Sequence, residues 1–261
     1  MQTTQAKSFE VGPLQVTIYD DKTQLGAAAA RDGAELIQDA IRQRGRARII
    51  LSAANSQFEV IDALTATPGL DWSAVEVFHV DEWIGVPDSH SASFRRWVRE
   101  RVARRVRPGI VHYLAGDSAN LETEAARYAA LLAEAPIDIS FLGFGENGHI
   151  GFNDPHEADL NDPQPVRIVS LDERCRRQQV GEGHFPGLEA VPSFGFTLTC
   201  PTLLSAEHII CCVPDLRKAE AVRNALEGPI SSACPGSFLR LHTKANLYLD
   251  PDSASKLNLR S

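Results

Sequence analysis

Short, almost uninterrupted apolar runs alternate along this chain with longer amphipathic segments. The runs at 47–53 and 137–145 are apolar at nearly every position rather than at every second one. Strands of that kind are buried on both faces, as they are in a parallel sheet covered by helices. Strands that alternate with helices predict a doubly wound α/β sheet. In such sheets ligands bind beyond the carboxyl ends of the strands, so the loops after those strands are where chemistry is expected.

The pattern gives the bounds of the main elements. We expect strands at 14–20, 47–53, 75–80, 137–145, 207–214 and 245–250. We expect helices at 21–45, from residue 57 onward, and at 93–106, 119–135 and 215–226. Asp21 is a typical N-cap for the first helix, and Gly45 is a typical stop.

Composition narrows the class of protein. The chain has 261 residues and a net charge of −8, which fits one α/β domain over 1–261 and argues against a general nucleic-acid binder. The chain contains no run of ~18 apolar residues, so no membrane span is predicted. The start of the chain has no apolar segment typical of a secretory signal. The five cysteines lack C-x-x-C spacing, which favours reduced thiols in the cytoplasm and no zinc site.

The loop after the second strand reads SAANS, residues 52–56, and leads into a helix. Ser52, Asn55 and Ser56 offer donors, and free N–H groups at a helix start favour an anion such as phosphate. The alternative is an ordinary helix start capped by Asn55 or Ser56.

Two carboxylates, Asp81 and Glu82, stand where the third strand ends, beside Trp83. A carboxylate held against apolar surface has a raised pKa and becomes a usable general base. The alternative is a strand terminus with solvated acids.

The segment GFGENGHIGFNDP, 143–155, is the most informative loop. Glycines at 143, 145 and 148 let the backbone turn tightly and approach a ligand. His149 and Asp154 can form a pair in which the carboxylate orients the imidazole and tunes its proton affinity. The glycine spacing is not that of a dinucleotide-binding fingerprint.

Cationic side chains occur at two further places. Lys218 lies near a helix start after a strand and could reach a phosphate, although a solvated surface lysine is the simpler interpretation. Arg174, Arg176 and Arg177 form a basic cluster that either faces a substrate or lies on a solvated helix face.

The chain resembles the family of glucosamine-6-phosphate deaminases (isomerases) and 6-phosphogluconolactonases. The resemblance is carried by 80–94, 137–155, 198–210 and 215–231, in family order and spacing, and covers nearly the whole chain. It implies a Rossmann-like three-layer α/β/α sandwich with a mostly parallel sheet, no cofactor and no metal. It also implies a phosphorylated amino sugar as the substrate.

The resemblance assigns roles to individual residues. Asp81 matches the general base that moves a proton between C2 and C1 of the open-chain sugar, and His149 matches the residue that opens the ring. Asp154 stands where the family has an acidic partner for this histidine, and Asn147 is counted with these catalytic residues. Substrate contacts are expected from Ser52, Ala54, Asn55, Ser56, Glu82, Gly145, Gly148 and Lys218.

Four departures from the family pattern leave the substrate open. Asn147 replaces a common aspartate, Asp154 replaces a glutamate, the 52–56 loop lacks glycine, and Gln179 stands about where a phosphate-binding arginine is common. The alternatives are a galactosamine-6-phosphate deaminase, a 6-phosphogluconolactonase-type hydrolase and a sugar-phosphate sensor without activity. The sequence leaves open a homo-oligomer and a mobile lid within 156–195, centred on the glycine- and proline-rich 177–195.

Overall fold

The computed structural model describes residues 6–258 and contains a central sheet of eight strands. Its strands are β1 (Lys7–Val11), β2 (Leu14–Ile18), β3 (Ala47–Leu51), β4 (Val75–His79), β6 (Ile110–Val111), β7 (Ile139–Leu142), β10 (His208–Val213) and β11 (Ala245–Leu249). The spatial order is β1-β2-β11-β10-β7-β3-β4-β6. Only β1 and β2 pair antiparallel, so the expectation of a mostly parallel sheet is confirmed.

Helices cover both faces of this sheet. They are α1 (Lys22–Arg44), α2 (Phe58–Ala66), α3 (Phe94–Val98), α4 (Arg104–Val106), α5 (Leu121–Ala133), α6 (Glu173–Gly181), α7 (Cys200–Leu204) and α8 (Ala219–Glu227). On one face Ile37 of α1, Ile61 of α2 and Val98 of α3 share a buried cluster with the sheet. On the other face Tyr128 of α5 and Val222 of α8 belong to a second cluster. The three-layer α/β/α architecture is thus confirmed.

The long first helix ends as its sequence predicts. The Asp21 side chain accepts a hydrogen bond from the Gln24 backbone N–H, which satisfies one donor of the first turn. Gly45 adopts the left-handed conformation at φ 74° and closes the last turn. The predicted helix at 93–106 is also present, but a π-helical segment, Arg99–Ala103, joins α3 to α4.

A second, three-stranded antiparallel sheet has no counterpart among the predicted elements. It consists of β5 (Asp81–Trp83), β9 (Phe194–Leu198) and β8 (Val166–Ser170), in that order. Its strands are three to five residues long and carry mixed polarity, so their periodicity is too weak to separate them from loops. This sheet matters because β5 begins with Asp81, which it fixes beside the central sheet.

Part of the segment expected to form a lid is regular structure. The range 156–195 includes β8, α6 and the start of β9, and its side chains Val169, Cys175 and Phe185 pack with Trp83 in a third buried cluster. Movement of 177–195, which begins in the last turns of α6 and ends in the start of β9, stays a prediction. All five cysteines are buried free thiols, as expected, and no helix within 6–258 has the length and apolar character needed to cross a membrane.

Candidate active site

A cleft with about 670 Å³ of empty volume opens at the carboxyl edge of the central sheet, where ligand binding was expected. We call it the substrate cleft. Its lining comes from the loop after β3, the start of β5, the glycine turn after β7, the end of α6 with the turn that follows, and the segment between β10 and α8. The predicted site residues that line it are Ser52, Ala54, Asn55, Ser56, Asp81, Gly145, His149 and Lys218.

The loop at 52–56 presents its backbone and small side chains to the cleft. Neither Asn55 nor Ser56 caps the short 3₁₀ turn or α2 that follows, which removes the alternative of a side-chain-capped helix start. Gln57 is the residue that sequence reasoning missed here. It is fully buried, and its Nε2 donates to the carbonyls of Leu142 at 3.0 Å and Cys212 at 3.4 Å. It therefore fastens this loop to β7 and β10.

Lys218 lies just before α8 and is only 5 % exposed. This burial excludes the interpretation as a solvated surface lysine. Within residues 6–258 its ammonium has no ion pair and no hydrogen bond from its side chain, and burial lowers its pKa despite the nearby carboxylates of Glu182 and Glu146. Burial of a cation without a close partner costs free energy unless a bound anion pairs with it.

Asp81 is the carboxylate with the most perturbed environment in the cleft. It is 6 % exposed, and neither carboxylate oxygen has a hydrogen-bond partner within the described part of the chain. Burial, and secondarily the charge of Glu82, raises its pKa well above the ordinary value of 3.8. A weakly solvated carboxylate with a raised pKa suits a general base.

His79 fixes the backbone that carries Asp81, and sequence reasoning missed it. Its Nε2 accepts from the Leu114 N–H at 2.9 Å, so its Nδ1 carries the proton and donates to the Asp81 carbonyl at 2.9 Å. Burial lowers the pKa of His79 to about 4, which keeps the ring neutral in this arrangement at neutral pH. An apolar strand that ends in histidine was the only sequence signal.

His149 and Asp154 are brought together as predicted, with His149 Nδ1 3.2 Å from Asp154 Oδ1. Asn147 lies between them. Its Oδ1 is 2.6 Å from His149 Nδ1 and also accepts the His149 backbone N–H at 3.0 Å, while its Nδ2 donates to Asp154 at 2.9 Å. Burial alone would raise the pKa of Asp154, but the hydrogen bonds and charge of His149, with the bond from Asn147, hold it below its usual value.

Gly145 allows the imidazole of His149 to sit directly against the backbone. A Cβ added to Gly145 would lie 2.1 Å from His149 Cε1. Glycine is therefore required at 145 for close approach. Gly148 is required for conformation, since its φ is +86° and its own neighbour is Cys234 rather than the substrate cleft.

We expect Gly145→Ala to displace the His149 ring and to lower turnover by about 10²-fold, because misplacement of a catalytic group by ~1 Å has this effect. Steady-state kinetics checks it. Gly181→Ala is the matched control, since a Cβ there meets nothing within 4 Å. Equal turnover of the two variants would show that the contact with Gly145 does not set the ring position.

Glu82 is placed outside the substrate cleft, which corrects the expectation that it contacts the substrate. Its fully buried carboxylate accepts from the backbone N–H groups of Trp83, Phe94 and Arg95 and from the Ser93 hydroxyl. It also pairs with the Arg95 guanidinium, Oε2 to Nε, at 3.2 Å. Apart from the Trp83 N–H, which belongs to β5, these donors come from the loop before α3 and its first turn, so Glu82 holds that helix start onto β5.

Glu82→Gln is expected to destabilise the fold by about 3–5 kcal/mol, because an amide cannot accept all of these bonds and leaves the Arg95 guanidinium with only Asp117, at 2.8 Å, as an anionic partner. Urea unfolding with Glu134→Gln as the exposed control measures the difference. A midpoint equal to that of the control would contradict the structural role given to Glu82.

The wall that faces Lys218 is formed by the end of α6 and the turn after it. Gln179 lines the cleft, whereas Arg176 donates to the carbonyls of Leu188 and Val191 and Arg177 pairs with Glu173 at the surface. Arg174, Arg176 and Arg177 are all absent from the cleft lining, so the substrate-facing alternative for this cluster is wrong.

Two groups of potential metal ligands include Asp154. The first is His149, Asp154 and Cys175, and the second is Asp154, His156 and Asp172. Burial raises the pKa of the Cys175 thiol well above its ordinary value, and His149 Nδ1 is already bound to Asn147. A protonated thiol is a poor ligand, so the donor chemistry of the first group does not fit a metal site.

Comparison with known proteins shows which family this chain matches in sequence. The family model for glucosamine-6-phosphate isomerases/6-phosphogluconolactonase matches residues 20–248. Glucosamine-6-phosphate deaminases from Arthrobacter sp. (strain FB24) and Rhodococcus opacus (strain B4) are 32 % and 31 % identical over 252 residues each, covering 94 % of this chain and 94 % and 93 % of theirs.

Two solved structures are also similar. A monomeric glucosamine-6-phosphate deaminase superimposes with a TM-score of 0.84 at 29 % identity, covering 93 % of this chain and 99 % of that one. A 6-phosphogluconolactonase from Shewanella baltica has a TM-score of 0.75 at 20 % identity, covering 90 % and 97 %. The second likeness shows a shared fold only.

Proposed function

Since this chain belongs to the family of glucosamine-6-phosphate isomerases and 6-phosphogluconolactonases, we propose that it deaminates a hexosamine 6-phosphate. The reaction converts glucosamine 6-phosphate and water to fructose 6-phosphate and ammonia. The observation that carries the proposal is the position of Asp81. Its buried carboxylate has no hydrogen-bond partner among residues 6–258, and it lines one cleft with His149 and Lys218. The relatives named above as deaminases support the same reading.

The phosphate group is assigned to the side of the cleft formed by Lys218 and the 52–56 loop. Lys218 supplies a buried positive charge that lacks a close anion, and the loop supplies uncapped N–H groups and the Ser52 and Ser56 hydroxyls. Charge-assisted hydrogen bonds of this type are about twice as strong as neutral ones. Gln179, at the opposite wall, offers amide donors where an arginine was expected.

His149 is assigned to ring opening. The Asn147 oxygen already accepts the His149 backbone N–H, and an oxygen cannot donate, so Nδ1 must carry the ring proton. Nε2 is then the unprotonated nitrogen of the neutral ring. It can take the proton of the sugar O1 hydroxyl and return one to the ring oxygen, which yields the open-chain aldehyde.

Asp81 is assigned to proton transfer between carbons. Once the aldehyde is exposed, the C2–H bond is acidic enough for a carboxylate to remove its proton. The bonding pair then forms the C1–C2 double bond, and O1 takes a proton from the substrate's own C2 ammonium group to give an enol. Return of the proton to C1 gives a 2-imine, and water then releases ammonia and leaves the ketose phosphate. Proton transfer by a positioned group contributes roughly 10²–10⁴-fold to the rate.

The alternatives differ in how the residues support them. A lactonase-type hydrolase has only fold-level likeness in its favour, at 20 % identity. Asn147 suggested a sensor without activity. However, Asn147 is hydrogen-bonded to both His149 and Asp154, and so keeps the histidine beside its acidic partner. The galactosamine epimer remains a second candidate substrate, and cytoplasmic location and homo-oligomerisation stay predictions.

Ammonia release, coupled to a reporter enzyme, tests the proposal with glucosamine 6-phosphate and galactosamine 6-phosphate. Acid release from 6-phosphogluconolactone is followed in parallel. Turnover of either amino sugar supports a deaminase and identifies the epimer. Hydrolysis of the lactone alone would replace the proposal with the lactonase. A folded protein inert toward all three would favour the sensor.

A further inference from the structure

We propose that Asp172 is a positioning residue that sets the orientation of His149 through Asn147 and couples it to the seating of α6. The inference deepens the proposed function and rests on it for its kinetic consequence. Asp172 does not line the substrate cleft, and nothing in the sequence pattern marked it.

The side-chain amide of Asn147 is hydrogen-bonded at both its nitrogen and its oxygen. Its Nδ2 has two hydrogens, and two carboxylates accept them: Asp154 Oδ1 at 2.9 Å and Asp172 Oδ2 at 2.8 Å. Its Oδ1 accepts from the His149 backbone N–H, which fixes which end of the amide faces the histidine. The amide thus has every polar group satisfied and only one orientation.

The Asn147 orientation in turn fixes the imidazole. Nδ1 of His149 faces two acceptors, Asn147 Oδ1 at 2.6 Å and Asp154 Oδ1 at 3.2 Å, so the neutral ring keeps its proton on Nδ1 and leaves Nε2 free. An aspartate at 147 would not need a second acceptor, because it has no N–H to place. Asparagine does need one, and Asp172 supplies it.

The bonds of Asp172 join this arrangement to α6. Its Oδ1 accepts the Cys175 N–H at 2.6 Å as the N-cap of α6, and its own N–H donates to Asp154 Oδ2 at 3.0 Å. The far end of α6 places Gln179 in the cleft wall, and Gln178 Oε1 accepts the Glu146 N–H of the glycine turn at 3.1 Å. One side chain therefore ties the helix start to the histidine through a single intervening amide.

Asp172→Ser separates the two tasks of this carboxylate. Serine is as good an N-cap as aspartate, but it has no second oxygen for Asn147. Asp21→Ser is the matched control, since Asp21 caps α1 through the Gln24 N–H and has no contact with Asn147. We expect Asp172→Ser to lower kcat by about tenfold to a hundredfold with KM changed less than threefold, and Asp21→Ser to leave both unchanged.

Nitrogen-15 NMR of the His149 ring, assigned with His149→Gln, gives a readout that does not depend on activity. The wild-type ring is expected to show a protonated Nδ1. Asp172→Ser is expected to shift the Nδ1 resonance, because Asn147 loses one of its two carboxylate acceptors while Asp154 still accepts the ring proton. A wild-type His149 spectrum in Asp172→Ser would overturn the inference, whatever happens to kcat. Absence of deaminase turnover in the wild-type protein would contradict the proposed function and leave the inference about Asp172 untouched, because that inference is decided by the His149 spectra.

Discussion

Asp81→Asn is expected to lower turnover by at least about 10²–10⁴-fold while sugar-phosphate binding stays within a few-fold of wild type. Asparagine fills the same space but cannot take the C2 proton. The same change should raise the melting temperature of the unliganded protein at neutral pH, since it removes a buried carboxylate without hydrogen-bond partners. Coupled ammonia release, calorimetric binding and thermal unfolding check the three parts, with surface Asp62→Asn as the control.

The pH dependence of this stability difference has a definite sign. The pKa of Asp81 is raised in the folded state, so the protonated form is favoured by folding and stability is lost as pH rises through the folded pKa. The gain in melting temperature from Asp81→Asn should therefore shrink toward low pH and grow toward neutral pH. Turnover should fall as the pH is lowered, because the base must be ionised. The midpoint of this fall should lie above pH 3.8. A stability difference that is constant with pH would contradict the burial of this carboxylate.

Lys218→Met is expected to weaken binding of a sugar phosphate by about a hundredfold or more. Methionine keeps the length of the side chain but removes the buried charge that would face the phosphate, and loss of one partner from such a pair typically costs 2–5 kcal/mol. Burial lowers the pKa of Lys218, so the charged form is disfavoured by folding and the unliganded variant should be at least as stable as wild type. The effect should appear in KM and in the dissociation constant more than in kcat.

Lys244→Met, at an exposed lysine paired with Glu207, is the matched control for this variant. Titration with glucosamine 6-phosphate and with the unphosphorylated sugar separates loss of the phosphate contact from general damage. Equal loss for both sugars would place Lys218 outside the phosphate site.

The sequence predicted the central sheet and most of its helices because their signals are local. The runs that became β3, β7 and β10 are apolar on both faces, and α1 has a capping aspartate and a closing glycine. The second sheet could not be predicted, because β5, β8 and β9 are short and take their conformation from pairing with distant partners. The pairing that supports Asp81 is thus a property of tertiary contact, not of local pattern.

The site residues also divide into those that the sequence predicted and those that it did not. Asp81, His149 and Asp154 were singled out because their residue types and positions after strands signal chemistry. Lys218 was assigned to the phosphate only through the family resemblance. Glu82 was misplaced, since alternation along β5 points its side chain away from the cleft and into the start of α3. The supporting residues were missed for a related reason: His79, Gln57 and Asp172 act through hydrogen bonds to partners 2 to 155 positions away, and no local pattern records those.

The most direct test of the central claim is carbon-13 NMR of labelled glucosamine 6-phosphate incubated with the wild-type protein and with Asp81→Asn at equal concentration. The wild type is expected to produce the ketose phosphate and ammonium in equal amounts, while the variant binds the sugar and leaves its C2 proton in place. Conversion by the variant at the wild-type rate would contradict the role of Asp81 as the base. Binding without conversion by the wild type, for this sugar and its galactosamine epimer alike, would contradict the deaminase itself.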